Sequence, residues 1–339
     1  MTPRILLTGK SGQLGHELSL TLPAIGELTA LDRSQLNLEN QSEIRRVIRE
    51  IRPTLIVNAA AYTAVDKAES DQAAARAINA DAPRILAEEA KTLGAILVHF
   101  STDYVFAGSA FKPYTETDPT SPLNVYGTTK LAGEEAIQKS GAAHLIFRTS
   151  WLYGRRGHNF LLTILKLASQ RKDLRVVCDQ RGAPTSVMEI SRATTAILQR
   201  VAAQSGQPAA QQSGLFHLSA AGETNWHEFA QTIVQFAKRT GSQPRIDQPR
   251  TDQPRTDQPR IDQPWIGQSW IELVTEGRPI IVDRILPIST DEYPTPARRP
   301  RYSVLSNAKL KNTFQIELSH WRKQLEEIFT IESGSWNRS

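Results

Sequence analysis

The chain predicts an α/β fold, a doubly wound parallel sheet followed by a smaller mixed α/β C-terminal part. Three observations predict it. β-rich runs alternate with helix-period stretches through the first half, a glycine-spaced turn follows the first run, and the alternation loosens after about residue 182. The runs are 4–8, 28–32, 55–60, 96–102 and 144–149, with helical stretches near 13–22, 41–51, 70–93 and 123–140 between them. Strands alternating with helices cross over in βαβ units, which lays helices on both faces of a parallel sheet, the Rossmann arrangement. A sixth strand is expected at 174–179. The 123–140 helix has legible ends: Ser121 is the expected N-cap, Pro122 the first helical residue and Gly141 the stop. Past 182, helices are expected near 186–203, 225–239 and 317–330.

The 339 residues suffice for one large α/β unit and a smaller second one. The division expected is a nucleotide-binding domain over 1–181, with some segments exchanged, and a substrate domain over 182–332. Apolar residues at 40% and charged residues at 22% fit an ordinary soluble globular protein. The formal charge of +5 comes with no basic block or aromatic-interleaved stripe, so no nucleic acid partner is expected. One cysteine, Cys178, excludes an intramolecular disulfide framework and reads as a buried structural thiol. No run reaches the ~18 apolar residues of a membrane span, and Met1-Thr2-Pro3 leads straight into a strand, so the expected location is cytoplasmic. Between 244 and 263 the unit Pro-Arg-(Ile/Thr)-Asp-Gln repeats four times. Proline at every fifth position forbids regular helix, and 242–283 reads as an extended or disordered insert. Each Arg there is matched by an Asp, which argues against a basic binding tract. The tail from 333 to 339 is expected to fray.

Thr8-Gly9-Lys10-Ser11-Gly12-Gln13-Leu14-Gly15 lies between the first strand and the first helix. Glycines there permit a tight turn and let a pyrophosphate approach the helix N-terminus, while Asp32 closes the second strand where a ribose hydroxyl would be bound. These features predict a dinucleotide. A carboxylate at 32 favours a free 2′-hydroxyl and Arg33 favours a 2′-phosphate, so NADH and NADPH both stay open. The small residues after the third strand, Ala59-Ala60-Ala61-Tyr62-Thr63, let a cofactor lie against backbone; tight packing alone would also explain them. Tyr126 and Lys130, at i and i+4, share one helix face. A cation beside a phenol lowers its ordinary pKa of about 10 toward the working range.

The GxxGxxG spacing, the small-residue run, Ser101-Thr102 after the fourth strand and YxxxK together resemble the extended short-chain dehydrogenase/reductase superfamily. Within it, Val57-Asn58-Ala59-Ala60-Ala61-Tyr62-Thr63-Ala64-Val65-Asp66-Lys67-Ala68-Glu69, Ser101-Thr102-Asp103-Tyr104-Val105-Phe106, Ser121-Pro122-Leu123-Asn124-Val125-Tyr126-Gly127, Phe147-Arg148-Thr149-Ser150-Trp151 and Tyr293-Pro294-Thr295-Pro296-Ala297-Arg298-Arg299-Pro300 resemble the dTDP-4-dehydrorhamnose reductase family. The resemblance covers 4–240 and 285–330. It implies hydride transfer from NADPH or NADH to the C4 ketone of dTDP-4-dehydro-L-rhamnose, toward rhamnose for cell-surface polysaccharide. Tyr126 would protonate the oxygen, Lys130 would hold the nicotinamide ribose and the phenol's pKa, and Thr102 would bind the reacting oxygen. Carried over as cofactor contacts are Gly9, Gly12, Gln13, Leu14, Gly15, Asp32, Arg33, Asn37, Leu38, Ala60, Ala61, Tyr62 and Thr63, with Tyr126 and Lys130. On the substrate side stand Asp103, Trp151, Arg298 and Arg299, the arginines as diphosphate anchors.

Tyr104 occupies the place where sugar-nucleotide dehydratases carry a second acid, which disfavours dehydration. 4-Epimerases, and NADP-binding regulatory subunits of methionine adenosyltransferase on the same fold, are the remaining alternatives. Glu17 matches a position where some bacterial relatives bridge two subunits through magnesium, but Met188 stands where the second glutamate is expected, with Glu189 one residue off, a turn of about 100° on a helix. A thioether is a poor magnesium ligand, so no metal and a monomer or weak homodimer are expected. His16, His99 and His217 have no zinc spacing and are read as structural.

Overall fold

The computed structural model describes residues 2–203, 213–241 and 269–330. Its centre is a six-stranded, all-parallel sheet. With β1 Arg4–Thr8, β2 Glu27–Leu31, β3 Leu55–Asn58, β4 Ile96–Thr102 and β5 His144–Thr149, the order is Gly214–His217, β5, β4, β3, β1, β2. Strand order reverses at β1, where β2 lies on one side and β3 on the other. The crevice beyond the carboxyl ends of β1 and β3 is thus the topological switch point of a Rossmann-type sheet, where such folds bind ligands.

A parallel sheet covered on both faces needs strands that are apolar throughout. In β1, Ile5 and Leu7 enter one core and Leu6 the other, all three essentially inaccessible. Each such side chain contributes roughly 1.5–3 kcal/mol of burial. Helix α1, Gln13–Thr21, and the Val187–Ala203 helix cover the first face through Leu14, Leu18, Ile190 and Ile197. The helices Gln41–Ile51, Ala82–Leu93 and Val125–Ser140 cover the second through Ile44, Ile48, Ile85, Leu86 and Ile137. Apart from the two faces of the sheet, a second core joins Phe160–Ala168, Trp226–Gly241, Trp270–Thr275 and Trp321–Thr330.

Several expectations are corrected. The sixth strand of the sheet is Gly214–His217, not 174–179. Asp173–Val177 alternates exposed and buried positions, as a strand with one wet face does, and pairs in parallel with Arg284–Ile288 in the second core. The Val125–Ser140 helix is capped by Asn124, whose side chain accepts from the Gly127 N–H at 2.8 Å; Ser121 and Pro122 precede it, while Gly141 ends it in the left-handed region. The helical stretch 70–93 is interrupted by π turns over Ala77–Asp81. Pro83 has no N–H for the carbonyl of Asn79, which removes one α-helical bond there. Cys178 is half-buried, and its backbone N–H bonds the Ile288 carbonyl. The 242–283 insert ends by residue 269, because Ser269 and Glu272 form a capping box for Trp270–Thr275 and Val282 is buried. The pentapeptide repeat and the 333–339 tail lie outside the described residues. A helix over Ala308–Phe314 was not anticipated, and the last helix begins at Trp321 rather than 317.

Candidate active site

The turn after β1 is fixed by close approach. Gly9 has φ +79°, and a Cβ on Gly15 would lie 2.0 Å from the Gly9 carbonyl oxygen, so α1 can begin against this loop only with glycine there. The N-cap of α1 is Gly12, with no side chain to cap the first turn. No capping side chain therefore competes with an anion for its leading N–H groups. A Cβ on Gly9 would stand 2.8 Å from the Ala60 N, so the loop and the end of β3 touch. Such a cradle, open only to backbone, fits a dinucleotide pyrophosphate.

Asp32 follows β2 at the crevice edge. Its carboxylate accepts from the Ser34 N–H and hydroxyl at 2.9 and 2.6 Å, with Lys10 Nζ at 3.6 Å, and these hold its pKa below the usual carboxylate value. Arg33 is exposed and pairs with Glu39 at 2.6 Å. Lys10 was not singled out in the sequence, yet it is the cation nearer Asp32. Asn37 accepts from the Glu39 N–H, whereas the Leu38 side chain is buried beneath the sheet edge. Tyr62 is held by Asn79, which bonds both its N–H at 2.9 Å and its carbonyl at 3.1 Å, and by Asp71 at the phenol. Thr63 is exposed.

Tyr126 and Lys130 sit on the helix that crosses the end of β4. Gly127 allows this, because a Cβ there would meet the Tyr104 carbonyl oxygen at 2.3 Å. The Tyr126 ring stands edge-on to Tyr104 with centroids 5.6 Å apart. Burial pushes its phenol up to about 12; the Thr102 hydroxyl opposes the rise and the Asp103 carboxylate adds to it. Lys130 is not among the groups that move the phenol. Lys130 Nζ is turned into the protein, donating to the Phe100 carbonyl at 2.6 Å and lying 3.2 Å from His99 Nε2. Burial lowers its pKa to about 8, against the pull of Glu134. Glu134 is itself paired with Arg148 at 2.6 Å, both buried.

Asp103 is almost wholly buried, and burial raises its carboxyl to about 6 despite hydroxyls from Ser303, Ser150 and Thr102. Thr102 donates to it at 3.1 Å and caps the short turn that follows β4. Trp151 has φ +48°, a strained conformation for a bulky residue, and stacks on Trp226 at 3.5 Å. Trp226, anchored to Gln180 at 3.1 Å, was missed in the sequence, where it reads only as a helix start. Arg299 is engaged by Asp66 at 2.8 Å and by Thr295 and the Ala297 carbonyl, and thus ties the 293–300 segment to the residues after β3. Arg298 is exposed, and its carbonyl accepts from Asn124 at 2.8 Å.

Among the described residues no group of three or more His, Cys, Asp or Glu could hold a metal. Met188 is buried in the second core, Glu189 pairs with Arg192 at 3.2 Å, and Glu17 is largely buried with its pKa raised by desolvation. His217 is fully buried and its pKa is lowered to about 3 by burial and Arg148. Among the described residues no helix is long and apolar enough to cross a membrane.

The model of a family described as the RmlD substrate binding domain matches residues 3–333. The chain is 42% identical over 319 residues to dTDP-4-dehydrorhamnose reductase of Burkholderia thailandensis, covering 94% of this chain and 95% of that one. It is 40% identical over 334 residues to the same-named protein of Escherichia coli K12, at 96% and 98% coverage. The crystal structure of dTDP-4-dehydrorhamnose reductase from Bacillus anthracis in complex with NADP superposes with a TM-score of 0.78 at 32% identity, over 97% of this chain and 99% of that one. On this match of fold and of sequence over nearly the whole chain, the chain belongs to the dTDP-4-dehydrorhamnose reductase family.

Proposed function

We propose that the protein reduces the C4 ketone of dTDP-4-dehydro-L-rhamnose to dTDP-L-rhamnose, with NADPH or NADH as reductant. The observation that carries this reading is the Tyr126 phenol, kept protonated by its surroundings, beside Thr102 and Asp103 at the end of β4. The nicotinamide, when bound, supplies the hydride. Thr102 would bind the ketone oxygen, and the Tyr126 phenol would donate its proton as negative charge develops there. A phenol near 12 remains fully protonated at neutral pH, which suits the reductive direction. Lys130 would hold the ribose and return a proton to Tyr126. Gly9, Gly12, Gln13, Leu14 and Gly15 would hold the pyrophosphate, Asp32 with Arg33 the adenosine ribose, and Asn37, Leu38 and Ala60 through Thr63 the rest of the cofactor.

On the sugar side, Asp103 and Trp151 would contact the hexose and Arg298 the diphosphate. Arg299, bound to Asp66, would hold the Arg298 segment over it. Residues 1–181 would serve mainly the nucleotide and 182–332 mainly the sugar. The protein would act in the cytoplasm as a monomer or weak homodimer without bridging magnesium; a dimer that EDTA dissociates and magnesium restores would refute that last point. The deciding assay is consumption of reduced nicotinamide with the purified keto sugar. Turnover to dTDP-L-rhamnose is expected. Absent turnover, with tight binding to a methionine adenosyltransferase instead, would replace the reductase with the regulatory-subunit reading.

A further inference from the structure

Asn58 and His99 are buried polar groups lying between the glycine turn and Lys130, and the reaction above gives neither a part. The contacts run from Thr8 Oγ1 to Asn58 Oδ1 at 2.7 Å, from Asn58 Nδ2 to His99 Nδ1 at 3.0 Å, and from His99 Nε2 to Lys130 Nζ at 3.2 Å. Proton counting gives this chain a direction. The Ala60 N–H can only donate, and it faces Asn58 Oδ1 at 3.3 Å, so the amide oxygen belongs at that end and the amide NH₂ meets His99. His99 Nδ1 must then accept. A neutral imidazole carries one proton, which places it on Nε2, aimed at Lys130. An ammonium offers only protons to that N–H, whereas a neutral amine offers a lone pair.

We infer that Asn58 and His99 are positioning residues: Asn58 fixes the imidazole tautomer, and the Nε2–H of His99 donates to the Lys130 amine, so that protonated Lys130 is disfavoured and yields its proton readily. The catalytic consequence rests on the proposed reduction; the tautomer does not. In that reaction the phenol proton passes to the sugar oxygen and leaves a phenolate at Tyr126. One N–H proton of the Lys130 ammonium then restores the phenol, leaving a neutral amine that water reprotonates. Burial lowers Lys130, and the charged groups packed against it do not add to that lowering. Tyr126 precedes it by one turn, Glu134 follows by one turn and favours the ammonium, and Arg148 of β5 neutralises Glu134. Burial lowers Lys130 and, with Lys130 itself, lowers His99 well below the ordinary histidine value, so the imidazole is neutral throughout the working range.

The test is ¹⁵N NMR of the full chain with labelled histidine, the His99 signals assigned by their loss in His99→Gln. On the alkaline side of Lys130's titration, a protonated Nε2 and a bare Nδ1 are expected; a proton on Nδ1 overturns the inference. That readout needs no substrate, so it stands or falls apart from the reductase reading. In turnover, kcat should fall as pH rises through about 8, where Lys130 loses its proton. His99→Gln, which can offer Lys130 an acceptor oxygen, should move that limb up by about one unit or more. Asn58→Asp, which draws the imidazole proton to Nδ1, should move it the same way. A limb that stays or moves down in both variants contradicts the inference, and if neither variant folds the wild-type tautomer decides alone.

Discussion

The two sides of the cleft are built in opposite ways. The side proposed for the nucleotide is made of backbone: a turn whose side chains are missing where Gly9 and Gly15 approach each other, a bare helix N-terminus, and the alanines after β3. The side proposed for the sugar is made of side chains held by partners far along the chain. Arg299 reaches Asp66 across 233 positions, Asn124 reaches the Arg298 carbonyl across 174, and Trp151 leans on Trp226. Backbone recognition tolerates no added atoms, and it reads any dinucleotide alike. Side-chain recognition is adjustable, so specificity for the sugar belongs on the second side. Between them lie the titrating groups, and there burial outweighs pairing: Tyr126 rises and Lys130 falls although they share a helix face.

Substitutions should divide along the same line. The largest effect on turnover is expected from Tyr126→Phe, a loss of roughly 10²–10⁴ in kcat, with cofactor affinity from fluorescence titration changed little. An equal collapse of cofactor affinity would place Tyr126 on the nucleotide side instead. Gly15→Ala should abolish NADPH binding or fold, because its methyl would stand 2.0 Å from the Gly9 oxygen; retained nanomolar-to-micromolar binding by calorimetry would show that the turn can open.

Asp103→Asn should act through pH. A carboxyl raised to about 6 when folded binds protons more tightly than in the unfolded chain, so its ionised form costs stability above pH 6 and that cost fades as pH falls through 6. The variant should therefore melt higher than wild type at neutral pH, by about 1–3 kcal/mol, with the gap closing in acid. A gap that widens in acid contradicts the sign. Arg299→Met should raise KM for the sugar several-fold and leave KM for NADPH unchanged, at a stability cost near 1 kcal/mol for a partly exposed pair. Smallest of all, excising 244–263 should leave turnover within a few fold; a collapse would bring the repeat to the substrate.

How much was legible follows the same division. β1 and β3 through β5 were legible because a strand buried on both faces is a largely apolar run, and the glycine turn because close approach leaves its mark in composition; β2, a half-buried edge strand, shows only as a short β-rich run before Asp32. The sixth strand was not, because Gly214–His217 carries only Leu215 and Phe216, while 173–177 offers Leu174, Val176 and Val177 and spends the first two in the second core. The spacing of Tyr126 and Lys130 was visible, but the direction of their titration was not. It depends on what surrounds them: Phe100, His99 and Asp103, all contributed by β4 and the turn after it, more than twenty residues away. Trp226 and the Asp66–Arg299 pair carry no local pattern at all; only the folded chain brings them to the cleft.

The most direct test follows the hydride. With NADPH deuterated at the transferable nicotinamide position and dTDP-4-dehydro-L-rhamnose as acceptor, the predicted product is dTDP-L-rhamnose carrying deuterium at C4 alone, formed by wild type and nearly absent with Tyr126→Phe. Deuterium retained in the cofactor while the sugar is converted, or full conversion by Tyr126→Phe, would contradict a hydride-and-proton reduction run by Tyr126.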